Sequence, residues 1–222
     1  MPLFNFRAPA LPLPPTDYNR QQFDEQARAL RLYFNRLDTD LTTLINPNGG
    51  SNLSFPHIAA SDSTDQIAGG NNTATVVKWN TLDSGSGWTL NSPGSATADY
   101  AGVYKITYSL QFINSANAIH YATVWLKVNN VDVANSATIF AIPARKSATP
   151  GEEGYNAAYS EATFTIDAGD EIELYWATDL AGNPTTPTDG VYIFHDAAQA
   201  SPFARPAIPS AIGSITFVSA LP

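Results

Sequence analysis

Two hydrophobic periods divide the chain. Between residues 17 and 45, apolar side chains recur at Phe23, Ala27, Leu30, Phe34, Leu37, Leu41 and Leu44. The steps alternate four and three without a slip, which is the a/d seam of a coiled coil over about three heptads. Thr16 or Asp17 can cap this helix after Pro14 and Pro15, and Pro47-Asn48-Gly49-Gly50 stops it beyond Asn46. An amphipathic helix laid on its own domain is the alternative. From residue 73 the period becomes two. In GVYKITYSLQF, Tyr104, Ile106, Tyr108, Leu110 and Phe112 share one face, and Lys105, Thr107, Ser109 and Gln111 share the other. ATVVKW (74–79), HYATVWLKV, VDVA, AYSEATFTI, EIELYWA, GVYIFH and SITFVSA read as further strands. Asn129-Asn130 forms a hairpin turn between two of them.

The pattern predicts a mainly β protein, an antiparallel two-layer sandwich preceded by a helix. Residues 1–16 form a proline-rich extended arm, 17–46 a helical stalk, 47–72 a linker rich in Gly, Asn, Ser and Asp, and 73–222 the head. Long loops are expected at about 135–157, 178–190 and 196–211.

Composition narrows the classes. Charged residues are 14% and cysteine is absent, so disulfide staples and thiolate chemistry are excluded. No basic, unbroken apolar leader opens the chain, and no run of apolar residues is long enough to span a membrane. Residues 1–50 are electrically neutral, with Arg as their only base, whereas residues 51–222 carry the whole net charge of −9. An acidic head argues against binding nucleic acid or anionic lipid. Arg suits planar contacts at interfaces, and Leu32 and Tyr33 lie off the seam, so the helix is expected to touch a second partner on its outer face.

The order of the strand motifs resembles a known family. Gly102-Val103-Tyr104 opens a long strand and Val128-Asn129-Asn130 ends the next. Ala162-Thr163-Phe164 runs into Gly169-Asp170-Glu171-Ile172-Glu173-Leu174, and Gly213 opens a final apolar strand. This order is similar to the globular-head jelly roll of the complement and tumour-necrosis-factor superfamily, over residues 73–221. GVYIFH and a proline-rich loop before the last strand depart from it. PPTDYNRQQFDEQARALRLYFNRLD and RPAIPSAIGSITFVSAL resemble segments of structural proteins of marine bacteriophages. These likenesses imply a homotrimeric virion appendage assembled in the host cytoplasm. Its seam would be the heptad residues above, and Phe4, Phe6, Arg7, Leu11 and Leu13 would anchor it to other virion proteins. The head's partner would be a host-surface glycan or protein. A decoration protein reinforcing the capsid, and a non-viral bacterial adhesin or spore-surface head, are the alternatives.

Catalytic constellations are sparse. His57, His120 and His195 share no metal-ligand spacing. Glu171 and Glu173 lie on one strand face, a spacing open to the carboxylate pair of a glycan-cleaving enzyme, a rival reading; Gly169-Asp170 beside them fits a tight turn. Asp179, Asn183 and Asp189 offer oxygen ligands without calcium-loop spacing. The expectation is a non-enzymatic protein with no cofactor, metal or catalytic residue.

Overall fold

The computed structural model describes residues 20–45, 55–147, 149, 151–185 and 189–221, which fall into two units that meet at Ser54/Phe55. The described part of the first unit is α1 (Arg20–Ile45). It lies within the predicted helix; the capping residues Thr16 and Asp17, and the whole arm, lie outside the described residues.

The second unit begins with β1 (His57–Asp62), β2 (Thr75–Val76), β3 (Thr81–Ser86), β4 (Trp88–Asn91) and β5 (Ser95–Ala98). Next come β6 (Gly102–Asn114), β7 (His120–Val128), β8 (Val131–Asp132) and β9 (Thr138–Ile142). It ends with β10 (Gly154–Ile166), β11 (Glu171–Thr178), β12 (Val191–Ile193) and β13 (Ala211–Ser219). One sheet runs β10-β6-β13-β1-β3, with β12 also on β6. The other runs β4-β5-β11-β7-β8, with β2 on β11 and β9 on β7. Every pairing between two of these strands is antiparallel. Four of the pairings nest: β1 with β13, β5 with β11, β6 with β10, and β7 with β9. Such a folded-over ribbon of nested pairs is the jelly roll, as the sequence predicts.

The predicted inner face of β6 is buried throughout, Tyr104 and Leu110 completely. Aromatic contacts join the two sheets: Phe112 meets Trp176 at 5.6 Å and Tyr104 meets Trp88 at 5.0 Å between ring centroids. Removing each such side chain from water contributes roughly 1.5–3 kcal/mol. At the β7–β8 hairpin, Asn129 and Asn130 both take positive φ (50° and 65°), as the predicted two-residue turn demands.

Three expectations are corrected. The predicted linker 47–72 contains β1, which pairs with both β13 and β3; the head therefore starts at Phe55. Here Asp62 points inward and is 1% exposed. Its Oδ1 accepts from the Thr64 N–H at 2.7 Å and from the Ser210 hydroxyl at 3.3 Å, so a charged residue fills an apolar slot. The predicted strand 74–79 shortens to Thr75–Val76, because the Gln66 side chain takes over the pairing. Its Oε1 accepts from Lys78 N at 2.8 Å and its Nε2 donates to Lys78 O at 3.1 Å. The predicted loop 135–157 holds β9 and the start of β10. The 196–211 loop is itself braced by bridges Asp196–Ile208 and Gln199–Arg205.

Candidate functional site

Within the described residues, most of the α1 seam is exposed. Phe23 is 49% exposed, Phe34 59% and Leu41 43%; Leu30 and Ala27 are also exposed, and Leu37 is half-buried. Leu44 lies in the last turn. Off the seam, Leu32 is exposed as well. The anchoring residues Phe4, Phe6, Arg7, Leu11 and Leu13 lie outside the described residues. No described helix is long and apolar enough to cross a membrane.

The outer face of the β10-β6-β13 sheet is a second apolar surface. Tyr155 and Tyr159 on β10, and Ile212 and Val218 on β13, all stand exposed. Register places Tyr159 and Ile212 on either side of Ser109. Around them are short hydroxyls and one ion pair: Thr107 and Ser214 meet at 2.7 Å, and Lys105 pairs with Glu161. The Lys105 hydrogen bond holds the Glu161 carboxyl below its ordinary range and raises the Lys105 ammonium. Burial, with the Glu153 charge beside it, pushes the Tyr155 hydroxyl up to about 12. The sequence reading took residues 158–166 as a strand without assigning its faces, and left Tyr155 in a loop. The signal for the outer face was Tyr155 and Tyr159 at a period-two spacing, on the parity opposite to the core.

On the other sheet, the outward positions of β7 are Tyr121, Thr123, Trp125 and Lys127. Trp125 lies directly opposite Tyr175 of β11, and Lys127 opposite Glu173. The two rings are 6.0 Å apart with planes 32° from parallel, and Lys127 Nζ lies 4.5 Å from the Tyr175 centroid. Trp125 Nε1 donates to Asp132 Oδ1 at 2.8 Å, and Lys127 meets the same carboxylate at 3.5 Å. Trp125, Tyr175 and Glu173 remain half-buried, and Tyr121 is exposed.

The structure keeps the catalytic candidates apart. His57 lies on β1, between Phe55 O and the Ser84 hydroxyl. His120 Nδ1 is 3.0 Å from Asp179 Oδ2, and Tyr121 N donates to the other oxygen at 2.9 Å. Burial pushes the Asp179 carboxyl up, but these hydrogen bonds outweigh it and leave it below the ordinary range. The backbone N–H of His195 is held by Asp65. Asn183 accepts from Thr185 and Asp189 from Arg145, so the three oxygen-ligand candidates face separate partners. Glu171 and Glu173 do share one face, but Glu171 accepts the Ser95 hydroxyl. Asp170 closes its turn by accepting from Asp167 N and Asn129 Nδ2, with Gly169 at φ 89°. Among the described residues no three His, Asp or Glu side chains gather as a metal site.

No protein-family model matches the chain, and no curated protein matches it either. Solved structures do. The globular domain of zebrafish complement 1qA protein is 12% identical with a TM-score of 0.44, covering 75% of this chain and 99% of that one. Murine APRIL is 13% identical with a TM-score of 0.43, covering 74% and 100% respectively.

Proposed function

We propose that this chain is a non-catalytic structural protein of a bacteriophage particle. It is a homotrimer, fastened to other virion proteins by its arm and helix, with a jelly-roll head that adheres to the host surface. The observation that carries this reading is the contrast between a head with a closed core and a helix of 26 residues whose Leu30, Phe34 and Leu41 are exposed among the described residues. A lone helix of that length is marginal in water. Sister helices would cover the seam, and a particle protein would cover Leu32 on the outer side. The exposed Tyr155, Tyr159, Ile212 and Val218 give the heads a surface on which to meet. The likeness of residues 14–38 and 205–221 to marine phage structural proteins supports the virion setting. The non-catalytic reading is supported by Glu171, which is engaged by Ser95, and by histidines that lie on separate partners.

Two measurements test it. The mass of the purified protein in solution is expected to be that of three chains, and antibody against the head is expected to label intact particles. A stable monomer overturns the trimer, and unlabelled particles overturn the virion role. Labelled particles whose host attachment is indifferent to exchange of the head's surface would turn adhesion into shell decoration.

A further inference from the structure

We propose that the outer face of the β11–β7 pair is a binding site for neutral pyranose-containing glycans. Trp125 and Tyr175 would be its stacking surface and Glu173 its hydroxyl acceptor. The inference rests on the adhesive reading above and names its ligand class and its place on the head.

Trp125 and Tyr175 occupy outward positions, on the opposite parity to the core residues Leu126, Leu174 and Trp176. Two large aromatics directly opposite each other on a half-solvated sheet face, with exposed Tyr121 further along the same strand, form an amphipathic strip. Strand geometry puts Tyr121 about 13 Å from Trp125, the reach of a few linked sugars. The rings are held in advance: Trp125 by its hydrogen bond to Asp132, Tyr175 by Trp125 on one side and the Lys127 ammonium. Binding on such a surface loses little side-chain freedom.

Glu173 supplies the polar half. It flanks Tyr175 on the same face, is half-buried, and its carboxylate has no hydrogen bond or ion pair among the described residues, although Lys127 lies opposite it in register. A pyranose has an apolar C–H face that stacks on aromatic rings and hydroxyls at its rim that donate to a carboxylate. The strip presents those two requirements side by side. Charge selects the class. Glu171, Glu173 and Asp132, on a head that carries all of the chain's −9, repel an anionic saccharide. A cationic peptide would want the seat over Tyr175, and Lys127 already holds it.

The test uses the full chain, titrated calorimetrically with maltohexaose, cellohexaose and mannohexaose, and with hexagalacturonate and hexalysine as charged counterparts. At least one neutral hexasaccharide is expected to bind. Trp125→Ala and Glu173→Ala are each expected to weaken it by about tenfold, a loss typical of one stacked ring or one charge-assisted hydrogen bond. Leu82→Ala, at an exposed position of β3 on the other sheet, is expected to leave it unchanged. Glu173→Ala is a surface change that guards against the indole replacement simply unfolding the sheet, and thermal melting of each variant checks this. No binding of any neutral hexasaccharide overturns the proposal, as does binding that survives both replacements, or binding of hexalysine alone. Particle labelling and solution mass, measured on the same protein, report separately on the virion reading, so either can fail without the other.

Discussion

Phe34 on α1 is 59% exposed and Phe112 on β6 is 1% exposed; Leu41 and Leu110 differ in the same way, at 43% and 0%. The residue types are alike, and what differs is who covers them. In the head, two sheets from the same chain close over Phe112 and Leu110, so the burial of these two side chains is complete within one copy. In α1, by contrast, Leu30, Phe34 and Leu41 of the periodic series stay exposed among the described residues. A helix can carry a regular apolar seam without burying it, because its backbone hydrogen bonds are satisfied along its own axis. A strand cannot stand alone in that way, since its backbone needs neighbours before its side chains have anything to face. The head's sequence thus describes a core that closes within one chain, and the helix's sequence describes a periodic series of which Leu30, Phe34 and Leu41 stay exposed.

The sharpest way to break this comparison is to cut the chain at two places. Residues 55–222 retain every strand and are expected to melt cooperatively as an isolated head. Residues 73–222, which begin at the boundary suggested by composition, lack β1, the strand between β13 and β3, and also Gln66. That loss is expected to exceed the whole stability of an ordinary domain, ~5–15 kcal/mol, leaving insoluble or unfolded protein by circular dichroism. A folded 73–222 fragment would show that β1 is an accessory rather than part of the core.

Next in size is a matched pair of truncations. Trp176→Ala empties a fully buried site against Phe112 and is expected to cost ~3–5 kcal/mol in chemical denaturation of the head. Phe34→Ala is expected to leave the head's transition within about 0.5 kcal/mol and to reduce the mass in solution instead. If Phe34→Ala moved the head's transition as far as a core replacement does, the two units would not be independent. If it changed neither property, the seam would not be a seam.

Smaller again is the polar knot at the end of β6. Asn114 is fully buried, and its Nδ2 donates to Ala118 O at 2.9 Å and Pro143 O at 3.0 Å, while its Oδ1 accepts from Ala116 N at 2.9 Å. Asn114→Ala would strand these backbone groups and is expected to cost about 1–3 kcal/mol, read as a lower melting temperature of the head. On α1 the hydrogen bond from Gln21 to Glu25 is exposed, so a comparable loss from Gln21→Ala would contradict the contrast.

How much of this was legible in the sequence follows the same physics. β6 reads cleanly because one face is core and the other is not, which leaves an unbroken alternation from Tyr104 to Phe112. The helix reads cleanly because its period runs without a slip. β1 was hidden because its inward positions are Ile58, Ala60 and Asp62, and a buried carboxylate satisfied by Thr64 and Ser210 looks like a loop residue in sequence. β9 was hidden because Ile139-Phe140-Ala141-Ile142 is apolar at both parities, with Ile139 69% exposed and Ile142 fully buried, so no alternation marks the strand. The Trp125–Tyr175 strip was visible only as two strand aromatics. Nothing in the local sequence sets the register of β7 against β11, and without that register Glu173 and Lys127 are not known to be neighbours.

The least effect is expected from a carboxylate, and here too the two regions differ. On α1, Asp24 meets Arg20 at 3.9 Å with both side chains mostly in water, an arrangement that contributes almost nothing. On the head, Asp179 accepts from Tyr121 N and faces His120, and these contacts hold its carboxyl below the ordinary range against the opposing effect of burial. A group whose folded pKa is depressed adds stability that is fully present above its unfolded value, near 3.9, and that is lost as the pH falls through the folded value. Asp179 is 42% exposed in its side chain, so solvent screening limits the contribution to less than about 1 kcal/mol. Asp179→Asn is therefore expected to lower the melting temperature slightly at pH 6, and the gap to the parent protein is expected to close as the pH is lowered below about 4. Asp24→Asn is expected to leave the head's profile unchanged at every pH. A gap that widens on acidification would mean that Asp179 is held in its neutral form, and the hydrogen bond from Tyr121 would then have to be reinterpreted.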